Sequence, residues 1–474
     1  MDDDIIDANC DPKNPQGISI EDITTADFLL MDTVVKTPCT RAVNGSAYNM
    51  DLYFKKEFMQ PTGSFKERGA RFALLLLSDR QKQIGVITAS TGNHALALSY
   101  HGNQLNIPVT VVLPIYTSPW KIEKCRSYNA TVITEGLDIS ESRVVALVFA
   151  KERQLEYING YDHPNVIAGC GTIGLEMLMQ VPKIDAVIVP VGGGGLIAGL
   201  ATTLKLASPN TKIIGVESEK CPSFARALEN ESPIYVAPND SLAESLLVPI
   251  AGSNAYTMAA PFIDKLVVVR EAWVALAMLR LVVEEECVVE GAAAVGLAAI
   301  LAGQLNELQM QRVIVLLTGC NTSPPALGCA LEQGLAAERR LFEDDCDDND
   351  PVTDLDELFE KLYKLGLTLS DVVSETVWLK SVYKKEMGKR KEAKIKQQPK
   401  EMTQEEAKRG TREESHAAAR EDMRKVTEEG IPKPTSEYTH HVIQQKVQEQ
   451  TQILWKHKKS STSNRKAISK KHFM

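Results

Sequence analysis

The chain has 474 residues, 44% of them hydrophobic, and a net charge of −9, which indicates a globular protein of two or three domains and excludes a mainly disordered one. No apolar run approaches the roughly 18 residues needed to cross a bilayer, so we expect no membrane segment. Residues 380–474 carry 24 Lys and Arg against 13 Asp and Glu, a balance of +11, whereas residues 1–379 carry 29 against 49, a balance of −20. An acidic body of this kind predicts no nucleic-acid binding.

The first residues and the cysteines bear on the cellular compartment. The start, MDDDIIDANCDPKNPQ, is acidic and has neither a secretory apolar region nor an Arg-rich transit pattern. Nine cysteines are scattered without a CxxC pair, which is typical of reduced thiols and not of a disulfide framework or a zinc site. We therefore expect a cytoplasmic protein without a bound metal.

Short β-rich runs alternate with helical runs from about residue 30 to 340. Helical runs such as GNHALALSYHG, GTIGLEMLMQV, GLIAGLATTLKLAS and WVALAMLRLVVEEE separate the strands. Several strands are Val/Ile runs without polar alternation, as expected when helices cover both faces of a parallel sheet. The fold class is therefore predicted as α/β with parallel sheets. The predicted strands are 51–58, 85–90, 109–114, 131–136, 186–192, 212–217, 265–271 and 313–319.

The composition of the sequence changes after residue 343. We assign residues 1–345 to a catalytic domain, with a small subdomain at about 58–160 inserted in a larger one. Residues 346–379 form an acidic linker and an amphipathic helix, and the basic residues 380–474 form a disordered or helical charged tail, because they have few large apolar side chains to bury. No repeated βαβ pattern occurs in 345–474, so we expect no additional α/β module there.

The stretch PTGSFKERGA, residues 61–70, places Lys66 in the first turn of a predicted helix, after a Pro-Thr-Gly-Ser turn. The positive end of the helix dipole repels a cation there. A repelled or desolvated ammonium has a lowered pKa, and the neutral amine is a nucleophile. Lys66 is therefore a candidate catalytic residue, although most lysines in helical patterns are solvated surface charges.

Three loops that follow predicted strands offer ligand-binding groups, as expected at the carboxyl ends of parallel strands. In ASTGNHALA, residues 89–97, polar groups begin a helix and suit a carboxylate or a ring hydroxyl, although a simple helix cap explains them as well. In VPVGGGGLIAGLA, residues 189–201, exposed backbone amides at a helix start suit a phosphate, although a tight packing turn is an alternative. In LLTGCN, Thr318 offers one hydroxyl. His94 is more typical of a packed histidine than of a general base.

A lysine amine, a phosphate loop and a carboxylate loop together describe a pyridoxal 5'-phosphate site. At these residues the sequence resembles the fold-type II pyridoxal-phosphate enzymes, in the branch of threonine/serine dehydratases and serine racemases. TGSFKERGA, STGNHA, HPNVIAGCGTIGLE, VPVGGGGL, VEGAAAVGLAA and LLTGCN occur in the family order across roughly residues 20–340. SLAESLL together with VVEGAAAVG is most similar to hydroxyectoine-utilisation dehydratases and threonine ammonia-lyases.

The resemblance implies two parallel-sheet subdomains of the tryptophan synthase β-like type, an amino-acid substrate and a homodimer or homotetramer. It implies that Lys66 forms the Schiff base and that Asn93 binds the ring hydroxyl. The remaining implied contacts are Phe65 beside the ring, Gly192, Gly193, Gly194, Gly195 and Leu196 around the phosphate, Thr318 at the ring nitrogen, and Ser90, Thr91, Gly92, Asn93 and His94 at the substrate carboxylate.

The sequence departs from the family pattern at three places. Thr318 replaces the usual serine, Ala243-Glu244-Ser245 replaces Ala-Asp-Gly, and Ser223 stands where some relatives have the aspartate that binds a divalent cation together with the equivalent of Glu217. The predicted activity is dehydration and deamination of L-threonine or L-serine to a 2-oxo acid and ammonia. A racemase is the alternative, since Thr91 keeps the hydroxyl of the serine found there in racemases. A cofactor-binding regulatory protein without turnover is the alternative from another class.

Overall fold

The computed structural model describes residues 7–342. The predicted linker with its amphipathic helix, 346–379, and the predicted basic tail, 380–474, lie outside the described residues. Within the described part of the chain, no helix combines the length and the apolar composition that crossing a bilayer requires.

Ten strands form two sheets. The larger sheet has the order β1-β2-β10-β7-β8-β9, and the smaller has the order β5-β4-β3-β6. All paired strands are parallel except β1, which runs antiparallel to β2 at the edge. The strands are β1 (Cys39–Arg41), β2 (Asp51–Lys56), β3 (Val86–Ala89), β4 (Val109–Leu113), β5 (Thr131–Thr134), β6 (Glu156–Tyr157), β7 (Ala186–Pro190), β8 (Lys212–Ser218), β9 (Lys265–Val269) and β10 (Arg312–Leu317).

Thirteen α-helices lie within the described residues and cover the faces of the sheets. They are α1 (Ile20–Leu30), α2 (Lys66–Leu75), α3 (Asp79–Ile84), α4 (Asn93–Leu105), α5 (Pro119–Ser127), α6 (Ile139–Arg153), α7 (Pro164–Gln180), α8 (Gly195–Ala207), α9 (Ser223–Glu229), α10 (Ser253–Ala259), α11 (Glu271–Glu285), α12 (Gly291–Leu301) and α13 (Pro324–Phe342).

Burial on both faces explains the unbroken apolar runs of the larger sheet. In β7, Ala186 and Ile188 belong to a core shared with α11, α12 and α13. Val187 and Val189 point the other way, into a core shared with α7, α8 and α10. Because successive side chains of a strand alternate between faces, a strand covered on both sides must be apolar throughout.

The smaller sheet is an insertion between β2 and β7. Its strands all lie between Val86 and Tyr157, inside the predicted subdomain 58–160, whose exact limits stay a prediction. Val86 and Val111 pack against α2, α4 and α5 on one face, and Ile87 and Val112 pack against α6 on the other. The predicted fold class, α/β with two parallel-sheet subdomains, is confirmed.

All eight predicted strands are present, with ends that differ by a few residues. The predicted strand 51–58 ends at Lys56, because Glu57–Met59 form a short 3-10 helix. The eight cysteines between residues 7 and 342 form no disulfide.

Candidate functional site

One pocket lies where strand ends of both sheets meet. The loops after β3, β7 and β10 line it together with the start of α2, which agrees with the rule that ligands bind beyond the carboxyl ends of parallel strands. All the residues predicted for the site line this pocket except Gly92. The structure therefore brings together three loops that are distant in the sequence.

The turn before Lys66 is attached to the end of β10. Gly63 has a left-handed φ of 80°, Ser64 forms a bridge with Gly319, and the Phe65 amide donates to the carbonyl of Thr318 at 3.0 Å. A left-handed residue favours glycine because a Cβ would clash with the backbone. The strand end therefore fixes the direction in which α2 begins.

Lys66 is the first residue of α2, as predicted. Its half-buried side chain points into the pocket, where Nζ donates to the carbonyl of Gly160 at 2.5 Å and lies 5.0 Å from the centre of the Phe65 ring. Loss of contact with water lowers the pKa of Lys66, and the nearby Glu290 carboxyl opposes that shift. The site therefore favours the neutral, nucleophilic amine.

The glycine loop joins β7 to α8. Gly194, with a φ of 95°, is the last residue before the helix begins at Gly195. The first amides of a helix have no acceptor within it, and here the first two, those of Gly195 and Leu196, belong to residues that line the pocket. These free donors and the positive end of the helix favour an anion.

Close packing behind the loop requires glycine independently of any ligand. A Cβ on Gly193 would lie 2.3 Å from the Tyr161 ring, and one on Gly195 would lie 2.2 Å from the Tyr161 carbonyl oxygen. The tight packing turn offered by the sequence is thus present, and the phosphate loop stays a prediction for the same residues.

The loop after β3 begins α4 at Asn93. The hydroxyl oxygen of Ser90 accepts from the amides of Gly92 and Ala95, at 3.0 and 3.2 Å. Ser90 therefore stabilises the loop itself. Its hydroxyl oxygen already accepts two hydrogen bonds, so its hydroxyl proton is the group that can bind a ligand. Thr91 and Asn93 line the pocket beside it.

His94 is buried, with its ring against Gly160. Burial lowers the pKa of His94 to about 3, and the positive charge of Lys66 acts in the same direction. The imidazole is therefore neutral at physiological pH, which agrees with the prediction of a packed histidine.

Glu290 is a pocket residue that sequence reasoning did not assign. Its carboxylate accepts from Asn93 Nδ2 at 2.7 Å, and its amide donates to the carbonyl of Gly319 at 3.0 Å. Burial raises the pKa of Glu290, while Lys121 and Asn93 lower it. Glu290 lies in the motif VEGAAAVG, which the sequence shows. Its contact with Asn93 spans 197 residues of sequence, so no local pattern indicates it.

The departure at Ala243-Glu244-Ser245 lies at the edge of the pocket. Ser245 lines it and its Oγ lies 3.3 Å from Asn93 Nδ2. Glu244 pairs with Lys121 of α5 at 2.9 Å. These two residues thus contact the part of the chain that carries the smaller sheet.

Glu217 would need an aspartate at position 223 to complete the cation pair that the resemblance suggests, and Ser223 stands there. Its two oxygens accept from the amides of Phe224 and Ala225, both at 2.8 Å, and burial raises its pKa to about 8. Among residues 7–342, no group of three or more His, Cys, Asp or Glu side chains is placed to hold a metal ion.

Comparison with known proteins agrees with this geometry. The family described as pyridoxal-phosphate dependent enzyme matches residues 30–319. The chain is 37% identical over 292 residues to an L-threonine ammonia-lyase of Geobacter sulfurreducens, which covers 62% of this chain and 72% of that protein.

Two solved structures are similar over most of their length. The processed form of threonine deaminase isoform 2 from Solanum lycopersicum is 31% identical with a TM-score of 0.62, covering 68% of this chain and 95% of that one. Serine racemase from Dictyostelium discoideum is 30% identical with a TM-score of 0.60, covering 65% and 99%. The chain belongs to the family of pyridoxal-phosphate-dependent enzymes.

Proposed function

We propose that this protein is a pyridoxal-phosphate-dependent ammonia-lyase that converts L-threonine or L-serine to a 2-oxo acid and ammonia. The observation that carries the proposal is that Lys66 and the four residues of the glycine loop line one pocket. The similarity to an L-threonine ammonia-lyase and a threonine deaminase supports this substrate class.

The residues of the pocket fit the cofactor. An anionic phosphate matches the amides at the start of α8, and a lysine with a lowered pKa matches an aldehyde. When bound, pyridoxal phosphate joins the substrate amine through its aldehyde and draws electrons away from the substrate Cα. We assign its phosphate to Gly192–Gly195 with Leu196, its ring face to Phe65, its ring hydroxyl to Asn93 and its ring nitrogen to Thr318.

The chain's own groups then perform the proton transfer. Lys66, whose lowered pKa favours the neutral amine, accepts the Cα proton of the substrate. Thr318 offers a hydroxyl to the ring nitrogen, and a hydroxyl does not hold that nitrogen protonated as a carboxylate would. The electron pair freed at Cα is then weakly stabilised, so it expels the β-hydroxyl, which takes the proton from Lys66 and leaves as water, before that proton returns to Cα. Water then hydrolyses the released enamine to the 2-oxo acid and ammonia.

The amides and hydroxyls of residues 90–94 receive the substrate carboxylate in this proposal. Thr91 and the start of α4 line the pocket on that side, and a helix start favours a negative group. Ser90 serves this loop mainly by holding its backbone.

The test is Lys66→Ala, with Lys36→Ala at an exposed lysine as the matched control. Ammonia release from L-threonine and L-serine should be lost in Lys66→Ala and unchanged in Lys36→Ala. The visible absorbance of the lysine-bound cofactor should also disappear in Lys66→Ala and remain in Lys36→Ala. Turnover that survives the loss of Lys66 would refute the assignment.

Racemisation is the second candidate, because serine racemase from Dictyostelium discoideum is a structural neighbour and Thr91 supplies a hydroxyl on the pocket wall. Threonine is β-branched and stiffer than serine, which favours elimination. Measuring D-serine and pyruvate formed from L-serine separates the two activities. A chain that binds the cofactor but releases no ammonia would support the regulatory alternative.

A cytoplasmic homodimer or homotetramer is part of the same proposal. The absence of disulfides among the described cysteines supports a reducing compartment. Light scattering of the purified protein gives the number of subunits.

A further inference from the structure

Asn321 connects two parts of the site that are far apart in the sequence. Its Nδ2 donates to the carbonyl of Thr62 at 2.8 Å and to Oδ1 of Asn93 at 2.9 Å. Thr62 belongs to the turn that precedes Lys66, and Asn93 is the first residue of α4. One amide group therefore contacts both the lysine-bearing turn and the loop after β3.

These contacts allow one orientation of the Asn321 amide. Both of its N–H groups face oxygen atoms, so the flipped amide would place its own oxygen against two acceptors. Its backbone is fixed as well, because it follows the Ser64–Gly319 bridge and Cys320, whose amide donates to Gly63. A Cβ on Gly63 would lie 2.8 Å from Asn321 Oδ1, so the turn packs directly on this side chain.

The orientation of the Asn321 amide also fixes the orientation of the Asn93 amide. Since Asn93 Oδ1 accepts from Asn321, its Nδ2 faces Glu290 at 2.7 Å and Ser245 at 3.3 Å, on the pocket side. A flipped Asn93 would set its Nδ2 against the Nδ2 of Asn321 and its oxygen against the carboxylate of Glu290. Both contacts would be repulsive.

We propose that Asn321 is a positioning residue that keeps Nδ2 of Asn93 on the pocket side, so that the N–H group now 3.3 Å from Ser245 can bind the ring oxygen of the cofactor while the other stays on Glu290. The inference rests on the proposed function, because it assigns a partner to Asn93. Asn321 itself is not among the residues that line the pocket.

The test is Asn321→Asp, which keeps the shape and exchanges the donor for an acceptor. The new carboxylate faces Asn93 Oδ1 and can no longer donate to it, so the Asn93 amide loses one of the two contacts that orient it, Glu290 being the other. Pyridoxal phosphate titrated into the apo-protein should bind about tenfold more weakly, or weaker still, because the Asn93 donor is no longer held toward the ring oxygen. Asn230→Asp is the matched control, since Asn230 also donates to a backbone carbonyl, that of Arg226, at an exposed site.

A double-mutant cycle with Asn93→Ala separates positioning from simple support of the turn. If Asn321 acts through Asn93, Asn321→Asp should change cofactor affinity less than about twofold in the Asn93→Ala background. Equal effects in both backgrounds would overturn the inference and leave the proposed function intact. Wild-type protein that takes up no cofactor would overturn both.

Asn321→Ala, taken through the same cycle, covers the case in which the aspartate variant does not fold. It removes both donors without adding a charge, and Asn93 becomes free to turn. The cofactor affinity and absorbance spectrum should change in the same direction, whereas an affinity equal to that of wild type would overturn the inference.

Discussion

Replacement of Arg68 by methionine tests how the helix that carries Lys66 is held. Arg68 lies on α2 and is almost completely buried. Its guanidinium contacts both oxygens of Glu57, at 2.8 and 2.9 Å, and both oxygens of Glu176, at 2.8 and 3.0 Å. Lys55 is the second cation, with Nζ 2.5 Å from Glu176. Two buried carboxylates are thus balanced by two buried cations.

The variant leaves two buried carboxylates and one cation. Removing one partner of a buried ion pair costs about 3–5 kcal/mol in the free energy of unfolding, because the remaining charge is desolvated without compensation. Arg226→Met is the matched control: Arg226 Nη1 lies 2.5 Å from Glu229, but both side chains are more than half exposed. An exposed pair contributes about 0–1 kcal/mol.

Urea unfolding of both variants measures the difference. Arg68→Met should shift the midpoint far more than Arg226→Met, with a similar slope. Losses within about 1 kcal/mol of each other would refute the argument that burial decides the effect.

The pH dependence gives a second measurement. Burial alone would raise the pKa of Glu57, but the charge and hydrogen bonds of Arg68 bring it below the ordinary value of 4.5. A carboxylate with a lowered pKa stabilises the fold above the unfolded pKa, and this contribution is lost as the pH falls. Without Arg68 the pKa of Glu57 rises, so the stability difference between wild type and variant should shrink below about pH 4.5.

Two further predictions concern residues around the pocket. Gly195→Ala should lose about 1–3 kcal/mol of stability in urea unfolding because its Cβ would meet the Tyr161 carbonyl. The control Gly328→Ala, with no atom within 4 Å of its Cβ, should be neutral or gain up to about 1 kcal/mol. Equal stabilities of the two variants would contradict the packing explanation. His94 has a pKa of about 3 in the fold against 6.5 unfolded, so its contribution to the free energy of unfolding is complete above pH 6.5 and falls as the pH drops toward 3. His94→Gln should therefore make the free energy of unfolding depend less on pH on the acid side. An unchanged pH dependence would argue against a neutral buried imidazole.

Apolar patterning was enough to predict the sheets. Val/Ile runs such as 186–192 and 313–319 are long enough to show burial on both faces, and all eight became strands. β1 and β6 were missed because three and two residues are too short to show a period. Helix α7 begins at Pro164, earlier than the predicted run, because His163 caps it and proline suits its first position.

The site was predictable where chemistry lies in a local motif. Lys66 and the four glycines have such motifs, and they meet in the pocket. Glu290 and Asn321 become site residues only through contacts with Asn93 that span 197 and 228 residues of sequence. The directions of side chains so far apart in the sequence depend on how the two sheets are folded together. No local sequence pattern predicts them.

The position of β10 has a consequence for biosynthesis. This strand lies between β2 and β7 in the larger sheet, and Arg312 contacts Asp51 across 261 residues of sequence. While the chain is being translated, β2 pairs with β1 and β7 pairs with β8, but the strand that pairs with both β2 and β7 is not yet present. A nascent chain that ends before residue 312 lacks this central strand as well as Thr318 and Asn321. The pocket, which Thr318 lines, is therefore complete only after β10 has been synthesised.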